Sequence, residues 1–343
     1  MELMIRKTTL LVLAFFALGL WACSGSASQT SLAPTQLTVT PQLPTFTPTF
    51  SPTPTRQSTA TPVPTFTQTP SPTPAVLIGA GDIANCAKEN PRDALTAELI
   101  KTQIARYPQA EIFTAGDNVQ DEGKAWEYKN CFDPTWGQFK ERIHPVPGNH
   151  DLMTDNGKAY YEYFGKAAGQ PGKGYYSYTL GSWHLVGLNG NCDEIACGKG
   201  STQLNWLKED LANSAQKCTL LYWHHPYFGS GSSGGYAPVS QFWKAAYKAG
   251  AEIVVNGHNH DYERFAPQDE DGNFTPQGGL REFVVGTGGA ALHKWGKIKD
   301  NSEVRLNTSL GIIVFVLYPD RYEWQFIPVD PQQAGDSGSG FCQ

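Results

Sequence analysis

The sequence predicts an α/β head of two packed mixed β-sheets flanked by helices, preceded by a long segment that belongs to no fold. Three observations carry this reading. From residue 75 the chain alternates short apolar runs with helical patterns, and beyond residue 280 apolar runs follow one another as strands. Of the 24 prolines, 11 fall in the first 74 residues, which hold only four charged residues, Glu2, Arg6, Lys7 and Arg56. Removing those from the 26 basic and 32 acidic groups of the chain leaves 23 and 31 on the remaining 269 residues, a balance of −8. Such a head has no electrostatic footprint for DNA or RNA, so no nucleic-acid scaffold is expected.

Residues 1–22 read as an export signal. Arg6 and Lys7 lead an apolar run from Thr8 to Leu20, 13 residues long, short of the ~20 that span a bilayer as a helix. The run ends in Leu20-Trp21-Ala22-Cys23, which resembles the lipobox of bacterial lipoproteins. That resemblance implies cleavage before Cys23, acylation of the cysteine, and an exported protein held at the cell membrane by a lipid anchor. A plain secretory signal or an uncleaved anchor is the other reading. Residues 23–74 are rich in Thr, Pro and Ser, with Thr-Pro at Thr47, Thr53, Thr61 and Thr73. They bury too little apolar surface to offset chain entropy, and in polyproline II form they make a stalk or tether. The head is therefore assigned to residues 75–343.

Within the head, Val76–Ala80 and Glu111–Ala115 read as strands around a helix from Pro91 to Tyr107 that presents Leu95, Leu99 and Ile104. Ile143–Pro147 is a third strand. Tyr175–Leu180 and Trp183–Leu188 make a hairpin turning at Gly181-Ser182. Ser201 caps a helix through Ala212 whose core face is Leu204, Leu207 and Leu211. Thr219–Trp223 and Glu252–Val255 are strands around a helix from Val239 to Ala249, and the strands Glu282–Val285, Ile312–Tyr318 and Tyr322–Val329 complete the chain. With Cys23 lipidated, six cysteines remain, an even number that suggests disulfides in an exported protein. The spacing of Cys192 and Cys197 favours a local bridge. Cys86–Cys131 with Cys218–Cys342 is one completion among several. No Cys-x-x-Cys pair is present, which argues against structural zinc.

Five of these apolar strands run into turns that bear ligand chemistry: Gly81-Asp82, Gly116-Asp117-Asn118, Gly148-Asn149-His150-Asp151, His224-His225-Pro226 and Gly257-His258-Asn259-His260. Ligands gather beyond the carboxyl ends of strands in α/β sheets, so parallel strands bring these turns to one crevice. Each motif alone is weak, since Gly-Asp commonly makes a plain turn. Together their oxygen and imidazole donors suit a pair of divalent or trivalent ions, with Fe, Mn or Zn expected.

In these residues the chain resembles the calcineurin-like metallophosphoesterases, most nearly the purple acid phosphatase branch. The helical run Gln203–Leu211 and the turn Gly286-Thr287-Gly288-Gly289 extend the likeness, which spans roughly residues 76 to 290. It implies a four-layer αββα sandwich and hydrolysis of phosphate monoesters or diesters by a metal-activated water, with small phosphorylated molecules as substrates. It further implies one metal on Asp82, Asp117 and His260, and a second on Asp117, Asn149, His224 and His258. Asp117 is then the bridging, catalytic carboxylate and His150 the catalytic acid or oxyanion stabiliser beside the phosphate. Asn149, His150, His225 and Tyr227 are the expected substrate contacts, and Asp151 is expected to support its turn. Two departures stand out: Gln120 replaces the tyrosine of the purple enzymes, and Ala84 replaces a histidine of the broader family. Without a tyrosinate no charge-transfer colour is expected. The different-class alternative is a cell-surface binding protein whose metal site is degenerate. A metallopeptidase is disfavoured because His-Glu-x-x-His is missing.

Overall fold

A computed structural model describes residues 73–86 and 91–343; the expected export signal, the Cys23 anchor and nearly all of the Thr/Pro-rich linker lie outside the described residues. The head opens with β1 (Ala75–Ala80), buried along almost its whole length because both of its faces are covered. There follow α1 (Asp93–Arg106), β2 (Glu111–Ala115), α2 (Ala125–Glu127), β3 (Ile143–Val146), α3 (Asn149–Leu152), α4 (Lys158–Phe164), β4 (Tyr176–Leu180) and β5 (Trp183–Gly187). Next come α5 (Thr202–Asn213), β6 (Cys218–Tyr222), α6 (Ser240–Lys248) and β7 (Ile253–Asn256). The last part is all strand: β8 (Tyr262–Phe265), β9 (Arg281–Val285), β10 (Ser302–Leu306), β11 (Gly311–Leu317), β12 (Arg321–Pro328) and β13 (Asp336–Phe341).

These strands form a six-stranded sheet in the order β13-β12-β11-β1-β2-β3 and a seven-stranded sheet in the order β10-β8-β9-β7-β6-β5-β4. Both are mixed. β1, β2 and β3 are parallel, as are β5, β6, β7 and β9, while the outer strands pair antiparallel. Strand alternation builds two cores from one run of residues. Leu220 and Tyr222 of β6 enter the core between the sheets, while Leu221 and the following Trp223 join Leu204, Leu207, Phe242 and Trp243 beneath α5 and α6. Phe113 against Tyr222 at 5.5 Å and Phe283 against Phe315 at 5.4 Å join the sheets, and α1 lies on β1 and β11. The layers are thus α, β, β and α.

The expected Ser201 cap is present, its side chain accepting the Leu204 N–H at 3.2 Å. The cysteines pair as Cys86–Cys131, Cys192–Cys197 and Cys218–Cys342. Two expectations need correction. Helix α1 does not bury Leu95, which is 50% exposed; it buries Thr96, Ala97, Ile100 and Gln103 instead. The reason is polar: the Thr96 hydroxyl donates to the Gly288 carbonyl at 2.5 Å and accepts from Trp136 Nε1 at 3.0 Å, which sets the rotation of the helix. Strands β8, β10 and β13 are additional to those read from the sequence. β13 (DSGSGF) lacks β-branched residues, and its Gly338 and Gly340 leave space for the rings of Trp324 and Tyr322 on the neighbouring strand.

Candidate metal centre

The backbone delivers the ligand candidates before any side chain is considered. β1, β2, β3, β6 and β7 end with one or two residues intervening before Asp82, Asp117, Asn149, His224 and His258, so the parallel strands of both sheets discharge onto one edge of the sandwich. Six non-glycine residues with positive φ occur among the described residues, and three of them are Asp82 (60°), Asp117 (48°) and His258 (68°). A left-handed conformation costs a residue with a Cβ on the order of 1–2 kcal/mol, so its concentration here marks a functional turn rather than a packing outcome. Close approach is the second requirement. A Cβ on Gly257 or Gly286 would lie 2.6 or 2.7 Å from Asp82 Oδ2, and one on Gly148 would overlap the Asp117 backbone and carboxylate.

Around His224 the acceptors crowd together. Its Nδ1–H donates to the Ala115 carbonyl at 2.9 Å, which turns Nε2 toward Asp117 Oδ2 at 3.2 Å, Asn149 Oδ1 at 3.1 Å and His258 Nδ1 at 3.3 Å. His260 is built the same way: Nδ1–H donates to the Ala291 carbonyl at 2.8 Å, and Nε2 faces Asp82 Oδ1 at 3.3 Å. That oxygen is buried and has no hydrogen-bond donor among the described residues, while Asp82 Oδ2 accepts the His258 N–H at 2.8 Å. The ligand atoms of Asp82, Asp117 and His224 lie within 4.8 Å of one another. Electron pairs facing electron pairs in a buried pocket are stable only with protons or cations among them. The donor set of carboxylate, amide oxygen and imidazole therefore fits divalent transition ions.

The electrostatics tell the same story. Burial alone would lower His224, but Asp117 and Asp82 beside it raise it to about 9. Burial likewise opposes the charged form of His260, and Asp82 raises it nonetheless. Asp82 is penalised by burial yet held below the usual carboxylate range by His260, His224 and His258. His258 and His225 go the other way, to about 4 and about 2, through burial and the neighbouring imidazoles. A cluster whose members push each other in opposite directions is characteristic of functional sites.

The remaining residues fall into place around this cluster. Asp151 is buried and supports its turn, accepting from Gly148 N at 2.8 Å, Asn118 N at 3.1 Å and the Tyr128 hydroxyl at 2.6 Å. His150 stands at the rim with its side chain 32% exposed; Nδ1–H donates to the Asp121 carbonyl at 2.9 Å, leaving Nε2 4.0 Å from Asp117 Oδ2. Gln120 does not take over a ligand's place: its Nε2 donates to the Asp117 carbonyl at 3.4 Å, and Ala84 is a buried methyl paired with Val119. His225 joins His224 and His258, their rings 4.8 and 4.4 Å from its own. Tyr227 turns away, packing on Phe228 and Trp243 of α6, and Tyr236 covers His225 at 4.6 Å instead. His293, which lies outside the five sequence motifs, stacks on His260 at 3.8 Å and accepts its backbone N–H at 3.2 Å. Its signal was its place just after the Gly286–Gly289 turn, whose end is tied to the Asp82 carbonyl through Ala290 N.

Residues 69–262 match the calcineurin-like phosphoesterase family. The chain belongs to that family. Within it, the chain is similar to purple acid phosphatases. It is 30% identical over 160 residues to purple acid phosphatase 15 of Arabidopsis thaliana, covering 40% of this chain and 28% of that one. The chain spans less than half the length of the Arabidopsis relatives it matches. The fold is that of a purple acid phosphatase from yellow lupin (Lupinus luteus) seeds, with a TM-score of 0.63 at 18% identity over 78% of this chain and 53% of the other. It is also that of GAP50, the anchor in the inner membrane complex of Plasmodium, with a TM-score of 0.61 at 16% identity over 79% and 90%. The shared fold thus accounts for the double sheet.

Proposed function

We propose that the chain is an extracytoplasmic phosphoesterase with a binuclear metal centre that hydrolyses phosphate monoesters or diesters. The carrying observation is the convergence of Asp82, Asp117 and His224, from three strand ends, on one buried point, with Asn149, His258 and His260 around it. Asp82, Asp117 and His260 would hold one ion, and Asp117, Asn149, His224 and His258 the other. Two ions so held supply a water of lowered pKa and neutralise charge on the phosphoryl oxygens. Asp117 serves both positions because a carboxylate has two oxygens. His150 presents Nε2 to the open side of the site, where it holds a proton for the leaving alkoxide, a role worth ~10²–10⁴-fold. The carbonyls of Ala115 and Ala291 keep His224 and His260 in the tautomer that leaves Nε2 free, the usual duty of groups behind metal ligands.

The test is metal analysis of the purified chain together with turnover of p-nitrophenyl phosphate and its bis ester. Two ions per chain and hydrolysis abolished by Asp117→Asn are expected. A metal-analysed Asp117→Asn protein with substantial turnover refutes the assignment, and a wild-type chain with one ion or none and no turnover supports the surface binding protein instead. The same proposal includes the anchor: mass spectrometry of the mature N-terminus should find acylated Cys23, and an unacylated terminus elsewhere rejects it.

A further inference from the structure

Side chains of consecutive residues on an extended strand point to opposite faces, so His225 should turn away from the cluster that His224 enters. It does not. The chain leaves β6 after Tyr222, and Trp223 Nε1 donates to the His225 carbonyl at 2.7 Å, closing a tight turn ahead of Pro226. The two neighbouring rings then lie on the same side, 4.8 Å apart and nearly perpendicular, and His225 lies 4.4 Å from the His258 ring. Tyr236 closes the other face of His225, its hydroxyl tied to Asp193 at 3.0 Å.

His225 is 8% exposed, and its Nδ1 has no hydrogen-bond partner among the described residues. A buried polar atom left unmatched costs on the order of 1–3 kcal/mol, so its persistence in a ring held on both faces needs a reason. In the neutral tautomer with its proton on Nε2, Nδ1 offers a free lone pair to a cation. Ligand nitrogens of His224, His225 and His258 lie within 4.8 Å of one another, close to the span of one cation's ligand shell.

Resting on the binuclear reading above, we infer that His225 is a further metal donor, making the second ion's pocket one of three imidazoles, suited to a divalent zinc-like ion. The donors on this chain are neutral imidazoles and an amide beside a shared carboxylate, a set that favours borderline divalent ions over a hard trivalent one.

The experiment uses the full chain stripped of metal, titrated calorimetrically with Zn(II) and followed by the visible spectrum with Co(II). Wild type should take two ions. His225→Ala should bind one of them ~10–100-fold more weakly, leave the other unchanged and alter the Co(II) spectrum. His225→Asn, whose amide reaches toward the Nδ1 position, should recover part of the lost affinity. Metal-free melting of all three proteins separates a folding defect from a lost ligand. Unchanged affinities and an unchanged Co(II) spectrum in a folded His225→Ala protein overturn this inference and leave the phosphoesterase reading standing. A wild-type chain that binds no ion overturns both.

Discussion

Gly148→Ala is the most direct probe of how the site is held. The added Cβ would stand inside 2.5 Å of both Asp117 Oδ1 and Asp117 N and 2.7 Å from Asp117 Cγ, whereas real Cβ contacts stay beyond 3.0 Å. A retreat of about 1 Å is therefore required, and the groups that must retreat are poorly free to do so. Asp117 already has a φ of 48°, its carbonyl accepts Ile83 N–H at 2.9 Å, and its Oδ1 accepts His150 N–H at 2.9 Å. On the other side, Gly148 N donates to the buried Asp151 carboxylate at 2.8 Å. The strain should cost about 1–3 kcal/mol of stability. The effect on catalysis should be disproportionate: sites tolerate errors of ~0.5 Å, and a 1 Å misplacement costs ~10²-fold, so a tenfold or greater fall in kcat/KM is expected. The matched control is Gly198→Ala, where nothing lies within 4 Å of the new Cβ and φ is not in the left-handed region. That change should be neutral or stabilising by up to about 1 kcal/mol. Thermal melting, metal analysis and hydrolysis of p-nitrophenyl phosphate on both variants decide the matter. A Gly148→Ala protein with wild-type turnover and two bound ions would show that Asp117 does not need its observed position.

Three further outcomes are expected. Removing Cys218–Cys342 by paired serine substitution should cost about 5 kcal/mol against about 2 for Cys192–Cys197, because the bridges close separations of 124 and 5 residues; equal losses in urea denaturation refute the ranking. Glu252, whose carboxylate accepts Thr219 N at 2.7 Å and Gln343 N at 3.0 Å, is pushed up to about 7 by burial despite those bonds. Its stabilising contribution is thus complete below the unfolded value near 4.5 and lost as pH rises through about 7. Glu252→Gln should remove that pH dependence, moving the stability difference toward the variant by on the order of 3 kcal/mol between pH 4 and 8; parallel denaturation profiles refute it. His150→Ala should lower kcat by ~10²–10⁴-fold with both ions retained, and loss of an ion in that variant would assign His150 to the ligands instead.

The strand-end turns were legible because each demand there selects a residue type: glycine where a Cβ would strike a carboxylate, then aspartate, asparagine or histidine to face a cation. Such demands act over two or three residues and survive in the sequence as motifs. What was not legible comes from chain that returns from elsewhere. The tyrosine beside the site is an instance. Tyr227 follows the motif directly, but Phe228 N and Tyr227 N are both bound by the buried Glu282 carboxylate, which turns that segment under α6. The glycine- and serine-rich loop 229–235 then folds back so tightly that Gly235 packs on the Tyr227 carbonyl and Tyr236 N donates to the Pro226 carbonyl at 2.8 Å. Tyr236 is thereby carried back over His225, nine residues after Tyr227 left it. Leu95 on α1 failed for the same reason, since the helix is rotated by a threonine bonded to a glycine turn 192 residues away. A fold whose chemistry lies at strand ends therefore discloses its ligands locally. The residues that hold those ligands belong to loops closed by backbone hydrogen bonds, and no residue type announces them.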